Sequence, residues 1–319
     1  MQSTTLKIPA PAPAVPDTSP RPIRSERLVV GPADGFRGLA VLAVVLIHVI
    51  YSAGRPVLDG GLIRNVLISG YFGMDLLFVL SGFLLFLPTV TAGGHFGSVR
   101  AYLIRRGSRI LPAYYVSLAG LLLFLPLLTT SSAQELIGSA KGLINVVLHT
   151  TLLQHSVGLL AGLPEGFHVN GAIWTLALDL AFYLLLPLVA TWYYKHPFLG
   201  LALALGGSTA WKWFAVNSAF TLPALTVPDP KIAVRMVLVT QFPTYLAHFA
   251  LGMTAAWLYV KHRNRQSTGR SAAVVAVQVA CIAAIIAGMN AAGMRDISGE
   301  ASLYDHWTAT GWFAATFAL

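Results

Sequence analysis

The chain has 319 residues, of which 56 % are hydrophobic and only 10 % charged. Soluble domains carry about 25 % charged residues, and so few polar side chains cannot cover a globule of this size, so a soluble fold is excluded. The net charge is +9 and the mean hydropathy +0.69. The basic residues fall in short clusters between apolar runs, a pattern that orients membrane helices and meets anionic headgroups, which argues against a nucleic-acid partner. The expectation is an all-α, polytopic membrane bundle. The single cysteine, Cys281, excludes an internal disulfide and any cysteine metal cluster.

Residues 1–32 hold seven of the 18 prolines and no long apolar run, so they read as a disordered tail. Arg21, Arg24, Arg27 and Arg37 before the first apolar run place that tail in the cytoplasm. A spanning helix needs about 20 apolar residues. Candidates run over 36–53, 66–90, 110–129, 172–194, 198–216, 236–260 and 271–292, with an eighth starting at Trp307. The stretch 142–161 is interrupted by Asn145, His149, Gln154, His155 and Ser156. Cytoplasmic placement of Arg100–Arg109 and of Lys261–Arg270 requires that stretch not to span, so it is read as re-entrant or interfacial. The final run, Trp307–Leu319, covers 13 residues, about 20 Å of helix, and is expected to be an unfinished span of a truncated chain.

The informative side chains are the ionisable ones within apolar runs, because a charge at mid-bilayer costs about 2.5–3.5 kcal/mol on insertion scales. In the first run Arg37 and His48 lie 11 residues apart, which places them on one helix face about 16 Å apart along the axis. In the second, Gly70, Gly73 and Gly82 allow close helix approach, and Asp75 is the natural carboxylate to orient His48. Ser81 reads first as a small residue at a helix crossing and second as a covalent relay. In the third, Arg106 and Arg109 at i, i+3 stand at the expected start of a helix, a setting suited to phosphate. In the fourth, Asp179 lies between Trp174 and Tyr183 and points toward the level of His48. His149, His155, His168 and His248 carry weaker signals, with His248 assigned to packing. No metal-ligand spacing occurs, so no metal is expected.

In this order and spacing, the segments Gly35-Phe36-Arg37-Gly38…His48, Gly73-Met74-Asp75-Leu76-Leu77-Phe78-Val79-Leu80-Ser81-Gly82-Phe83, Arg106-x-x-Arg109 before Leu111-Pro112-Ala113-Tyr114-Tyr115, and Trp174-Thr175-Leu176 before Phe182-Tyr183 resemble the membrane acyltransferase-3 family. The resemblance covers residues 35–190; beyond 198 it is one of hydropathy alone. It makes residues 33–319 a transmembrane acyltransferase domain of about eight spans, in a bacterial inner membrane. It departs from the family in carrying Asp179 where glutamate is usual, and in having fewer than the usual ten or so spans.

The resemblance implies transfer of an acyl group, often acetyl, from cytoplasmic acyl-CoA to a hydroxyl of a glycan, lipid-linked sugar or small metabolite. Arg37, Arg106 and Arg109 would hold the coenzyme A phosphates, and His48 would act as general base, oriented by Asp75 or Asp179. Trp174, Tyr183 and Ser81 would line the substrate pocket. The competing reading is a transporter or flippase with His48, Asp75 and Asp179 as a proton relay.

Overall fold

The computed structural model describes residues 31–52, 61–68, 70–124, 139–157, 174–218 and 230–263, with five isolated helical positions from Ala276 to Ala287. These form ten helices: α1 (Gly31–Ser52), α2 (Leu62–Ile68), α3 (Phe72–Thr91), α4 (Val99–Phe124), α5 (Ala140–Thr150), α6 (Gln154–Val157), α7 (Trp174–Lys195), α8 (Pro197–Asn217), α9 (Pro230–Val239) and α10 (Phe242–Arg263). No strand occurs among the described residues.

Four of the helices, α1, α3, α4 and α7, are long and apolar enough to cross a bilayer. α8 and α10 match them in length at 21 and 22 residues but carry polar groups such as Ser208, Lys212, Thr244 and His248. The expected tail, the run 271–292 apart from those five positions, and the run from Trp307 lie outside the described residues.

Three boundaries differ from the hydropathy reading, each for a local reason. The second run divides into α2 and α3, so α3 begins at Phe72 and Asp75 sits in its first turn. The third helix starts at Val99 rather than 110. Gly93, Gly94 and Gly97 at φ 66°, 95° and 78° turn the chain, and the Ser98 hydroxyl accepts the Ala101 N–H at 3.3 Å as a cap. The 236–260 run is broken at Thr240-Gln241, between α9 and α10.

Of the stretch 142–161, expected to be re-entrant or interfacial, residues 142–157 are described and 158–161 lie outside the described residues. α5 has 11 residues, about 16 Å of rise against a hydrocarbon core of about 30 Å, and the turn at Thr151–Leu153 leads into the four-residue α6. Leu152 takes a left-handed φ of 62° in that turn. Ser139 caps the start of α5 by accepting the Gly142 N–H at 3.0 Å. Its end is tied to α4: the Tyr114 hydroxyl donates to the His149 carbonyl at 2.7 Å and the Tyr115 hydroxyl to the Thr150 carbonyl at 2.9 Å. Carbonyls in a helix's last turn lack helical partners, and the paired tyrosines supply them.

The core is built on α3. Gly70 and Gly73 lie against the Ala43 and Ala40 carbonyls of α1, so α1 runs antiparallel to α3. Gly82 lies against the backbone of Phe249, and Gly252 against that of Val79 and Phe83. With Asp75 meeting His248 and Phe83 meeting Tyr259, α10 runs parallel to α3 at backbone contact. Ser81 meets Asp179 and Gly94 meets Tyr194, so α7 runs in that direction too. Phe78, Phe83, Phe86, Leu178, Phe182, Leu186, Phe249 and Met253 fill the space between these three helices, with Phe182 stacked on Phe249 at 4.1 Å.

Candidate functional site

Two polar layers interrupt this apolar core. In the first, Asp75 of α3 pairs with His248 of α10, Nε2 to Oδ1 at 2.9 Å, and both side chains are buried. Lys212, buried on α8, lies near enough to feel the Asp75 charge. The His248 ring also packs on Tyr245 at 5.2 Å and edge-on to Phe78 at 6.4 Å.

The second layer lies six residues farther along α3, about 9 Å deeper. The Ser81 hydroxyl hydrogen-bonds the Asp179 carboxyl of α7, and Arg37 of α1 and Arg106 of α4 both bear on that carboxyl through space. Tyr183, one turn from Asp179, faces Arg106, Arg109 and Tyr102. Arg106 also lies over the Tyr102 ring at 6.0 Å. A cavity of about 390 Å³ opens beside this layer. Arg106 and Tyr183 form its polar wall; Leu103, Leu111, Leu180 and the Thr151–Leu153 turn form the rest.

A third polar group anchors α6. The His155 ring donates from Nε2 to the Thr240 carbonyl at 2.7 Å, and Gln241 donates to the His155 carbonyl at 3.0 Å. Trp174 lies between His155 and Tyr245, with ring centroids 5.4 and 6.0 Å away. Burial pulls the His155 imidazole below its ordinary value of 6.5, opposed by the hydrogen bond to Thr240.

The chain matches the acyltransferase-3 family, Acyl_transf_3, described as an acyltransferase domain, over residues 33–319. It belongs to that family. It is also 29 % identical, over 193 residues, to a protein named peptidoglycan O-acetyltransferase OatA from Listeria monocytogenes serovar 1/2a. That match covers 58 % of this chain and 28 % of the relative, so the chain spans well under half of that protein's length. No solved structure matches the chain.

Within this acyltransferase-3 chain the tertiary structure unites some of the expected residues and separates others. Arg37, Arg106, Ser81, Asp179 and Tyr183 converge, with Arg109 bearing on Arg106. Trp174 stands apart from them, against His155. The expected His48–Asp75 partnership is not formed. Ala40 lies opposite Gly73 in the antiparallel α1–α3 pair, which sets Asp75 opposite residue 38. His48 is ten residues farther along α1, about 15 Å away along the axis. It is exposed, and its Nδ1 bonds the Val44 carbonyl at 2.7 Å.

His248, expected to be a packing residue, is the partner Asp75 finds. The available signal was its being an ionisable side chain within an apolar run. Lys212, within the run 198–216, carried the same signal and was also missed; Tyr102, outside the runs, carried none. The helix-terminus argument for Arg106 and Arg109 fails as well, because both stand inside α4, where backbone N–H groups are already bonded. Any anion they hold is held by guanidinium groups alone.

Proposed function

We propose that the chain is a membrane O-acyltransferase that moves an acetyl group from acyl-CoA to a hydroxyl of a glycan, lipid-linked sugar or small metabolite. The observation that carries this reading is family membership over residues 33–319. The activity for which the Listeria relative is named favours acetyl as the group and an envelope glycan as the acceptor. Arg37 and Arg106, with Arg109 beside them, take the donor phosphates. The rise of about 16 Å from Arg37 to His48 suits an extended pantetheine arm that brings the thioester to the imidazole.

His48 is the general base of this reading. A carbonyl only accepts, so the Nδ1 contact with Val44 requires the proton on Nδ1 and leaves the Nε2 lone pair for the acceptor. Nε2 takes the hydroxyl proton as the oxygen attacks the thioester carbonyl. The carbon–sulfur bond then breaks, and the thiolate recovers the proton from the imidazolium. A base in this role contributes about 10²–10⁴ in rate.

The test is calorimetric titration of acetyl-CoA into purified protein at low salt, beside the Arg106→Ala/Arg109→Ala variant. Saturable binding lost in the variant is the expected result. Absence of binding by folded wild-type protein would refute the donor assignment. His48→Ala is expected to bind donor normally and to lose at least a hundredfold in transfer; near-normal turnover removes His48 as base.

A further inference from the structure

α7 and α10 run in one direction, and α8 begins where α7 ends. Hydrogen bonds and ring contacts hold these three helix ends together. The Tyr193 hydroxyl, in the last turn of α7, donates to the Ala250 carbonyl of α10 at 2.8 Å and lies 2.8 Å from the Thr254 hydroxyl. Trp257 is three residues past Thr254, on the same face of α10, and its ring meets that of Phe198 of α8 edge-on at 5.8 Å. Lys261, one turn farther, leans back toward the start of its helix, as long helical side chains do. Its Nζ sits 4.1 Å from the centroid of the Trp257 ring. Lys195 is the last residue of α7, three before Phe198. Packing thus brings two ammonium groups, 66 positions apart in sequence, to one corner of the bundle.

No acidic residue of these helices neutralises them. α7 beyond Asp179, and α8 and α10 throughout, contain no Asp or Glu. Both lysines are exposed, and neither is ion-paired among the described residues. The Trp257 face attracts an ammonium group without cancelling its charge, and the carbonyl ends of α7 and α10 offset only part of it. The surface beside the lysines is apolar, with Phe198 59 % and Leu199 53 % exposed. Aromatic side chains with lysines just beyond them mark the boundary between hydrocarbon and headgroups. An occupant that suits this corner is anionic at one end and apolar at the other, which excludes a soluble anion. We infer that the corner is a binding site for an anionic phospholipid, with Lys195 and Lys261 taking its phosphate and Phe198 and Leu199 its acyl chains. The site uses none of the residues assigned to donor or acceptor, so it stands or falls apart from the acyltransferase reading.

The experiment counts lipids retained by the full chain in detergent, by native mass spectrometry, after addition of phosphatidylglycerol or phosphatidylcholine. Wild type is expected to retain phosphatidylglycerol in preference. A lysine near an anionic lipid surface is worth about fivefold in affinity, so Lys195→Gln/Lys261→Gln is expected to lose that preference by roughly thirtyfold. Lys195→Arg/Lys261→Arg is expected to keep it. So is Arg105→Gln/Lys141→Gln, which removes two exposed charges from α4 and α5 instead. Equal retention of the two lipids by wild type, an unchanged preference in the glutamine variant of the corner, or an equal loss in the α4–α5 control overturns the inference. Displacement of the retained lipid by inorganic phosphate also overturns it, because it marks a site for a free anion. Salt gives a reading on wild type alone: raising it is expected to release phosphatidylglycerol but not phosphatidylcholine, and retention indifferent to salt overturns the inference.

Discussion

Replacing His248 with alanine strands the Asp75 carboxylate in the core between α3 and α10. The pair is buried, at 1 % and 8 % side-chain exposure. Breaking a buried ion pair from one side costs about 3–5 kcal/mol. Lys212 still faces Asp75, so the lower end, about 3 kcal/mol, is expected. His48→Ala touches only an exposed ring bonded within its own helix turn, and about 0.5 kcal/mol or less is expected there. Denaturant unfolding in detergent micelles, followed by tryptophan fluorescence, measures both. A double-mutant cycle is expected to show strong coupling of Asp75 to His248 and none to His48. If His248→Ala unfolds with wild type, or if Asp75 couples to His48, the α3–α10 register derived above is wrong.

Gly252→Ala places a methyl group in the backbone of Val79 and Phe83, so folded yield is expected to collapse. Gly38→Ala, which meets nothing within 4 Å, is expected to leave yield unchanged, as read by size-exclusion chromatography. Tyr114→Phe removes a buried donor from the end of α5 and is expected to cost about 1–2 kcal/mol; faster limited proteolysis at the Thr151–Leu153 turn reports the release. His155 is held neutral by burial, so the unfolded chain binds its proton first. Stability from this residue is complete above about pH 6.5 and falls as the solution is acidified below it. The fall is expected to be shallower in His155→Gln, by melting temperature against pH.

The membrane character of this chain and the order of its long helices are written in composition and hydropathy, because burying an apolar run in lipid depends on that run alone. The family was legible too, since its motifs are short and lie within single helices. Charge balance between loops sets the 142–161 stretch apart from the spanning runs, and α5 within it has 11 residues. Helix starts were less accessible: α4 begins at Val99 because of a serine cap and three left-handed glycines, signals outvoted by the apolar run farther on. Which ionisable groups meet was legible only for Arg37, Arg106 and Arg109, not for Asp75 and His248. Arg37 and His48 share a face in any α1, but whether His48 reaches Asp75 depends on how far α1 slides along α3. Gly70 and Gly73 settle that sliding only once they sit against Ala43 and Ala40. The contact of Asp75 with His248, and the reach of the Arg37 and Arg106 charges to Asp179, join residues 73 to 173 positions apart in sequence. A single run's hydropathy carries no term for such contacts; the packing of α1, α3, α4, α7 and α10 decides them.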